Sequence, residues 1–234
     1  IITFFATTVA ISIYSNLDVV MLGFISGDRE VGYYGAALKI RSALATLAVS
    51  LGTVLLPRLS YWAQKKQMKE FKAMLRKSFD FMFLMAIPIT IFFVVYAQPV
   101  VLFLSGEAFE GAVSTTQLLL PTVFFAGLSN VTGTQTLVPL GKENILLKSI
   151  VAGAVVDFVL NCILIRYFGS DGAAFSTLIT EIVVLVIQCI ALKKLLKEIS
   201  IVKFALRPLF SSIIAIVVCT QFIPRVYGYF SQLI

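Results

Sequence analysis

The chain has no histidine, and only 13% of its 234 residues are charged. The first absence removes histidine-ligated metal centres and Ser-His-Asp or Cys-His catalysis from anything these residues build alone. The second is about half of what a soluble domain carries, roughly 25%. Cysteine is scarce too. Cys162, Cys189 and Cys219 are isolated, with no Cys-x-x-Cys pair. Each falls in an apolar run and reads as a small packing residue. Apolar residues are abundant: 59% are hydrophobic and the mean hydropathy is +0.97. They come in runs of about twenty, the length that crosses a bilayer as a helix. The expected class is an all-α polytopic membrane protein. The chain starts on Ile1, already in an apolar run, and stops on Leu233–Ile234. That predicts a piece of a longer protein.

Hydropathy and turn residues predict seven helices, at about 2–25, 32–57, 79–104, 114–138, 147–167, 172–192 and 208–224. The connections are short except for the polar stretches 58–78 and 193–207. Pro88, Pro99 and Pro121 fall inside spans, as kinks or as breaks lining a cavity. Fourteen basic residues lie on one side of the bundle, in 58–78, at Lys142 and Lys148, and between Lys193 and Arg207. The other side has three (Arg29, Arg166, Arg225) and the acidic turn "SGEAFEGA" at 105–112. This asymmetry places 58–78 and 193–207 in the cytoplasm. The net charge of +7 is accounted for by these connections, so no nucleic-acid partner is expected. Lys65 to Lys77 also lie where anionic membrane lipid would be met.

Polar residues at membrane depth are the candidate functional groups. Lys39 and Arg41 sit two turns into the second span and, two residues apart, point to different faces. Each is either a cavity cation or a side chain that reaches the headgroups. The acidic residues at depth are Asp18, Asp157 and Glu181. Asp157 and Asn161 are one helical turn apart in "AVVDFVLNCILI" (154–165). Ala173, Thr177 and Glu181 share a face of the next span. The tight turn "YFGSDGAA" makes these two spans antiparallel neighbours, which puts Asn161 and Thr177 at equal depth. One locus then collects carboxylate, amide and hydroxyl oxygens. It suits Na⁺ or, through a protonatable carboxyl, H⁺. The structural alternatives are an Asp paired to Lys39 or Arg41, or polar contacts joining helix to helix. In the fourth span Gln117, Asn130, Thr134 and Gln135 line either a wet cavity or a helix–helix contact.

Two stretches carry a resemblance. "IYSNLDVVMLGFISGDREVGYYGAALKIRSALATLAVSLGTVLLPRLS" (13–60) resembles the seventh and eighth helices of bacterial polysaccharide and O-antigen flippases. "LNCILIRYFGSDGAAFSTLITEI" (160–182) resembles their eleventh and twelfth. These flippases belong to the multidrug/oligosaccharidyl-lipid/polysaccharide exporter superfamily, whose members have two six-helix lobes around a central cavity. The resemblance implies that 1–193 is the C-terminal lobe and that 194–234 is a cytoplasmic linker plus one further helix. The N-terminal six-helix lobe is then a missing partner. It implies no enzyme, no cofactor beyond a coupling ion, and the bacterial cytoplasmic membrane. The implied substrate is an undecaprenyl-diphosphate-linked glycan, delivered to polysaccharide polymerase machinery. Lys39 falls within one residue of a cavity arginine of the related lipid II flippases, and Arg41, Asn130 and Gln135 complete the substrate set. The sodium ligands of those relatives fall on Asp18, Asp157, Asn161 and Thr177, with the Ala173 carbonyl. Their eleventh-helix order is Asn then Asp, here reversed to Asp157 then Asn161. That keeps proton coupling open, with Glu181 added to the ion-coupling set. The alternatives are a multidrug extruder of the same superfamily and a membrane enzyme of envelope glycan assembly.

Overall fold

A computed structural model describes residues 16–199, the side chains of Leu51 and Thr53 excepted. The expected helix at 208–224, Cys219 and the start of the first span lie outside the described residues. Those described are mostly helical, without strands. We number the helices α1 (Asn16–Ile25), α2 (Asp28–Gln64), α3 (Met68–Val95), α4 (Ala97–Ser105), α5 (Ala112–Leu119), α6 (Pro121–Thr132), α7 (Glu143–Ala191) and α8 (Lys193–Ile199). A π-helical turn, Gly133–Leu137, extends α6.

Three segments are long and apolar enough to cross a membrane: Met68–Val95, Ala112–Leu137 and Glu143–Ala191. The bent helix α2 is a fourth. Within α7, Gly169 has φ 54° and ψ −129°, and there the chain reverses. A side chain at Gly169 would also collide with the Glu30 carboxylate. The two arms pack antiparallel. Ser149 meets Gln188, Gly153 meets Val184 and Asp157 meets Thr180, so each four-residue step up one arm matches four down the other. A Cβ on Gly153 would lie 2.5 Å from Val184 Cγ2, so glycine sets how closely the arms approach. At about 1.5 Å per residue the arms measure roughly 39 and 33 Å, against a hydrocarbon core of about 30 Å. The fifth and sixth predicted spans are these two arms.

The polar stretch 58–78 differs from expectation. It is helix on both sides of a three-residue turn at 65–67, with Lys66 at φ 56°. Lys, Arg, Glu and Gln are good helix formers, so α2 and α3 continue beyond their apolar parts. The prolines separate into two kinds. Pro99 lies in the first turn of α4 and Pro121 opens α6, so both mark breaks. Pro88 sits within an unbroken α3. Pro57 sits inside α2, which bends by 44° between Ser50 and Val54, the turn that Pro57 deprives of a hydrogen bond.

Helix α2 is central and packs against α3, α5, α6 and α7. One apolar cluster joins α2 to α3 and α6 through Leu59, Phe71, Leu75, Met82 and Val123. A second joins α1, α2, α5 and α7 through Leu22, Ala37, Leu119 and Ile165. The first arm of α7 shows why a greasy helix keeps polar residues. Ser149, Gly153, Asp157, Asn161 and Ile165, spaced by four, are buried, whereas Val151, Val155, Val159 and Ile163 are exposed. An apolar outward stripe faces hydrocarbon. Asp157 and Asn161 face the interior, where partners are available.

Candidate functional site

Asp18, Asp157, Asn161 and Thr177 converge: spacing predicted the meeting of Asn161 and Thr177, and the resemblance added Asp18. The α7 hairpin brings the last three to one depth, and α1 supplies Asp18. Asp18 Oδ1 accepts a hydrogen bond from Asn161 Nδ2 at 2.6 Å. Its Oδ2 accepts from Tyr34 Oη at 2.5 Å and lies 3.0 Å from Thr177 Oγ1. Asn161 Nδ2 also donates to Asp157 Oδ2 at 3.1 Å, and Thr180 Oγ1 donates to Asp157 Oδ1 at 3.3 Å. Thr177 Oγ1 lies 2.9 Å from the Ala173 carbonyl and 3.1 Å from Tyr34 Oη. A hydroxyl has one proton to give, so it cannot donate to both Ala173 and Asp18. Asp157 and Asn161 are fully buried, and Asp18 nearly so. Leu22, Ala37, Ile165 and Ala173 pack in the apolar cluster that also holds Tyr34.

The site brings two carboxyl groups together. Neither Asp18 nor Asp157 forms an ion pair among the described residues, unlike Glu181, which meets Arg41. Two ionised carboxylates at membrane depth cost about 5–7 kcal/mol on insertion scales. The five hydrogen bonds to them offset this by about 3 kcal/mol at the ~0.6 kcal/mol typical of membrane interiors. A bound cation or proton would close that gap. The buried Asn161 Oδ1 has no hydrogen-bond partner. Asp18, Asp157, Thr177 and the Ala173 carbonyl supply oxygens of the kind a hard monovalent cation takes, and Asn161 would add Oδ1 once its amide is turned.

Glu181 is placed differently from the rest of the ion-coupling set. One turn beyond Thr177, its Oε1 lies 3.1 Å from the Arg41 guanidinium. Arg41 Nε also donates to Thr122 Oγ1 at 2.9 Å, beside the break made by Pro121. Arg41, Glu181, Ser129, Asn130, Thr134 and Gln188 line a cavity of about 250 Å³. At its far end Gln188 Oε1 accepts from Thr132 at 2.5 Å, and Gln188 Nε2 donates to Ser149 at 3.2 Å. Gln135 is buried and donates to Asn130 Oδ1 at 3.0 Å, because the π turn returns residues five apart to one face. Lys39 is exposed on another face of α2, in an open groove with Gly32, Ala36, Leu104 and Phe109. Lys39 and Arg41 therefore occupy different faces, as their two-residue spacing requires.

Tyr34, Thr180 and Gln188 escaped the sequence reading. A signal existed for each. Tyr34 precedes Arg41 by seven residues, two turns on one face, and Gln188 follows Glu181 by seven. Thr180 faces Asp157 once the arms are folded together.

The chain matches the family model described as "Polysaccharide biosynthesis protein" over residues 2–114. It is 30% identical over 199 residues to a provisionally named O-antigen transporter of Shigella dysenteriae, covering 81% of this chain and 47% of the relative. A protein of Escherichia coli K12 with the same provisional name is 31% identical over 180 residues, 77% of this chain and 43% of the relative. A provisionally named low-salt glycan biosynthesis flippase of Haloferax volcanii is 23% identical over 164 residues, 70% and 34% of the two chains. No solved structure matches the chain significantly. The chain spans about half the length of the curated relatives it matches, and those three are named as transporters or a flippase rather than as enzymes. The all-helical bundle and these relatives place the chain in the polysaccharide biosynthesis protein family of multi-pass membrane proteins.

Proposed function

We propose that the complete protein carries a lipid-diphosphate-linked glycan unit across the bacterial cytoplasmic membrane by alternating access, and that this lobe couples the movement to Na⁺. The observation that carries the coupling is the pair of buried carboxylates bridged by Asn161, whose own carbonyl oxygen lacks a partner. Turning the Asn161 amide exchanges its donor for that carbonyl. The site then presents only acceptors between Asp18 and Asp157 and attracts a cation. Binding ties α1 to both arms of α7, while Tyr34 adds α2. A ligand shifts a conformational equilibrium by its differential affinity for the two states. An ion held by three separate helices favours the conformation in which they are close. Glycan chemistry is supported by the relatives' names, and Lys39 supplies an exposed cation for a diphosphate.

A second reading, proton coupling, is favoured by the same pair of carboxylates, because one proton also relieves their repulsion. In cells lacking the native transporter, the complete protein should restore surface glycan. Asp18→Asn and Asp157→Asn should abolish export at unchanged membrane level, and Lys39→Ala should reduce it with partial rescue by Lys39→Arg. Normal export by both Asn variants would remove the coupling site from the mechanism. Normal export by Lys39→Ala would make Lys39 a headgroup anchor.

A further inference from the structure

A second charged feature lies away from both buried sites. Helix α7 ends at Ala191 and α8 begins at Lys193. This junction, the start of α3 and the connection before α7 enclose an open groove of about 600 Å³. Lys72, Lys142, Lys193 and Lys194 line it. Lys72 is paired with Glu198, the one acidic residue of the lining. Lys142, Lys193 and Lys194 are exposed and form no ion pair among the described residues. Three unneutralised ammonium groups from two separate chain segments therefore share one concavity. Its lining is not otherwise polar. Ile190 is 69% exposed and Met68 is 37% exposed in the same groove.

The sequence explains the composition. The apolar run of the second α7 arm ends at "CIALKKLLKE", so the groove sits where the helix leaves hydrocarbon. Basic groups beside aliphatic side chains at that level fit a molecule with an anionic head and a hydrocarbon tail. A free phosphate would have no use for the exposed Ile190 and Met68. We infer that this groove is a binding site for the headgroup phosphate of an anionic glycerophospholipid, with Ile190 and Met68 against its acyl chain. The phosphate bridges the connection before α7 to the α7–α8 junction and relieves repulsion among the three lysines.

The test uses the purified full-length protein in a neutral detergent. Phosphatidylglycerol, phosphatidylcholine or inorganic pyrophosphate is added, and thermal melting and the retention of spin-labelled phosphatidylglycerol are read. Phosphatidylglycerol should raise the melting temperature by several degrees, and the other two should not. Lys142→Gln/Lys193→Gln/Lys194→Gln should weaken lipid retention roughly a hundredfold, since each of the three charges contributes on the order of a fivefold factor. Its lipid-free melting should be unchanged, because the substituted side chains are exposed. Arg166→Gln, an exposed cation at the opposite end of the α7 hairpin, should keep the lipid response. Ile190→Gln leaves the charge alone and should weaken retention severalfold, a second readout if the triple variant does not fold. Wild-type retention by both the triple variant and Ile190→Gln would overturn the site. So would phosphatidylcholine acting as well as phosphatidylglycerol. A pyrophosphate shift matching that of the lipid would reassign the groove to soluble phosphates.

Discussion

The Asp18 site and the Arg41 site lie one helical turn apart on the second arm of α7, yet they solve the problem of buried charge in opposite ways. Around Glu181, the acid meets a guanidinium at 3.1 Å, and that guanidinium also bonds Thr122. The site is neutral as it stands. Around Asp18 and Asp157, hydroxyls and one amide supply every hydrogen bond, and no cationic side chain pairs with either acid among the described residues. A carboxylate with a permanent partner holds helices together. A pair of carboxylates without one responds to ions. On the proposed reading Glu181 serves the structure, and Asp18 and Asp157 are the groups that answer to a bound ion.

The largest effect should come from breaking the neutral site on one side only. Arg41→Ala leaves the Glu181 carboxylate mostly buried and without its guanidinium, at a cost of about 3 kcal/mol. The full-length variant should melt several degrees lower and accumulate less in the membrane. Arg41→Met/Glu181→Leu removes both charges and should recover most of the loss. A double variant no better than Arg41→Ala would mean that the pair does not act as a unit.

The next effect separates the two sites by their response to ions. Wild-type protein should melt higher in Na⁺ than in K⁺ or choline at equal ionic strength, by mass action on the folded state. Asp18→Asn and Asp157→Asn should lose most of that difference. Arg41→Met/Glu181→Leu should keep it, because its charges lie outside the oxygen set. Identical melting of wild type in the three salts, with a pH dependence that Asp157→Asn removes, would replace sodium by a proton. Loss of the sodium response in the Arg41/Glu181 double variant would merge the two sites into one.

The smallest effect concerns Tyr34, which links α2 to the Asp18 site. Tyr34→Phe deletes one hydrogen bond to a carboxylate, worth about 0.6 kcal/mol at membrane depth. The sodium shift should persist, displaced to a different sodium concentration. Export should fall more than binding does if α2 transmits occupancy to the Lys39 face. Unchanged export would confine Tyr34 to packing.

Much of the fold was legible before any coordinates. Apolar runs with period-3.6 polar faces gave the helices, because in hydrocarbon every backbone group must be satisfied within its own segment. The glycine in "YFGSDGAA" gave the reversal, since only a residue without Cβ accepts both the Gly169 backbone and the nearby Glu30 carboxylate. Equal distances from that turn gave the meeting of Asn161 and Thr177. The polar stretch 58–78 was misjudged as a loop because hydropathy reports the solvent and not the backbone state.

By itself the sequence determined the membrane class, the α7 hairpin and the list of polar residues that a greasy chain must place inward. Those follow from local rules: segment length, helical period and the cost of charge in hydrocarbon. Only the tertiary structure decided the partnerships. Asp18 is 139 residues from Asp157 and 159 from Thr177, and Arg41 is 140 from Glu181. Nothing local says that Glu181 takes the guanidinium while Asp18 takes Tyr34 and Asn161. The crossing of α1 and α2 over the hairpin fixes it, since a side chain bonds whatever packing brings within about 3 Å.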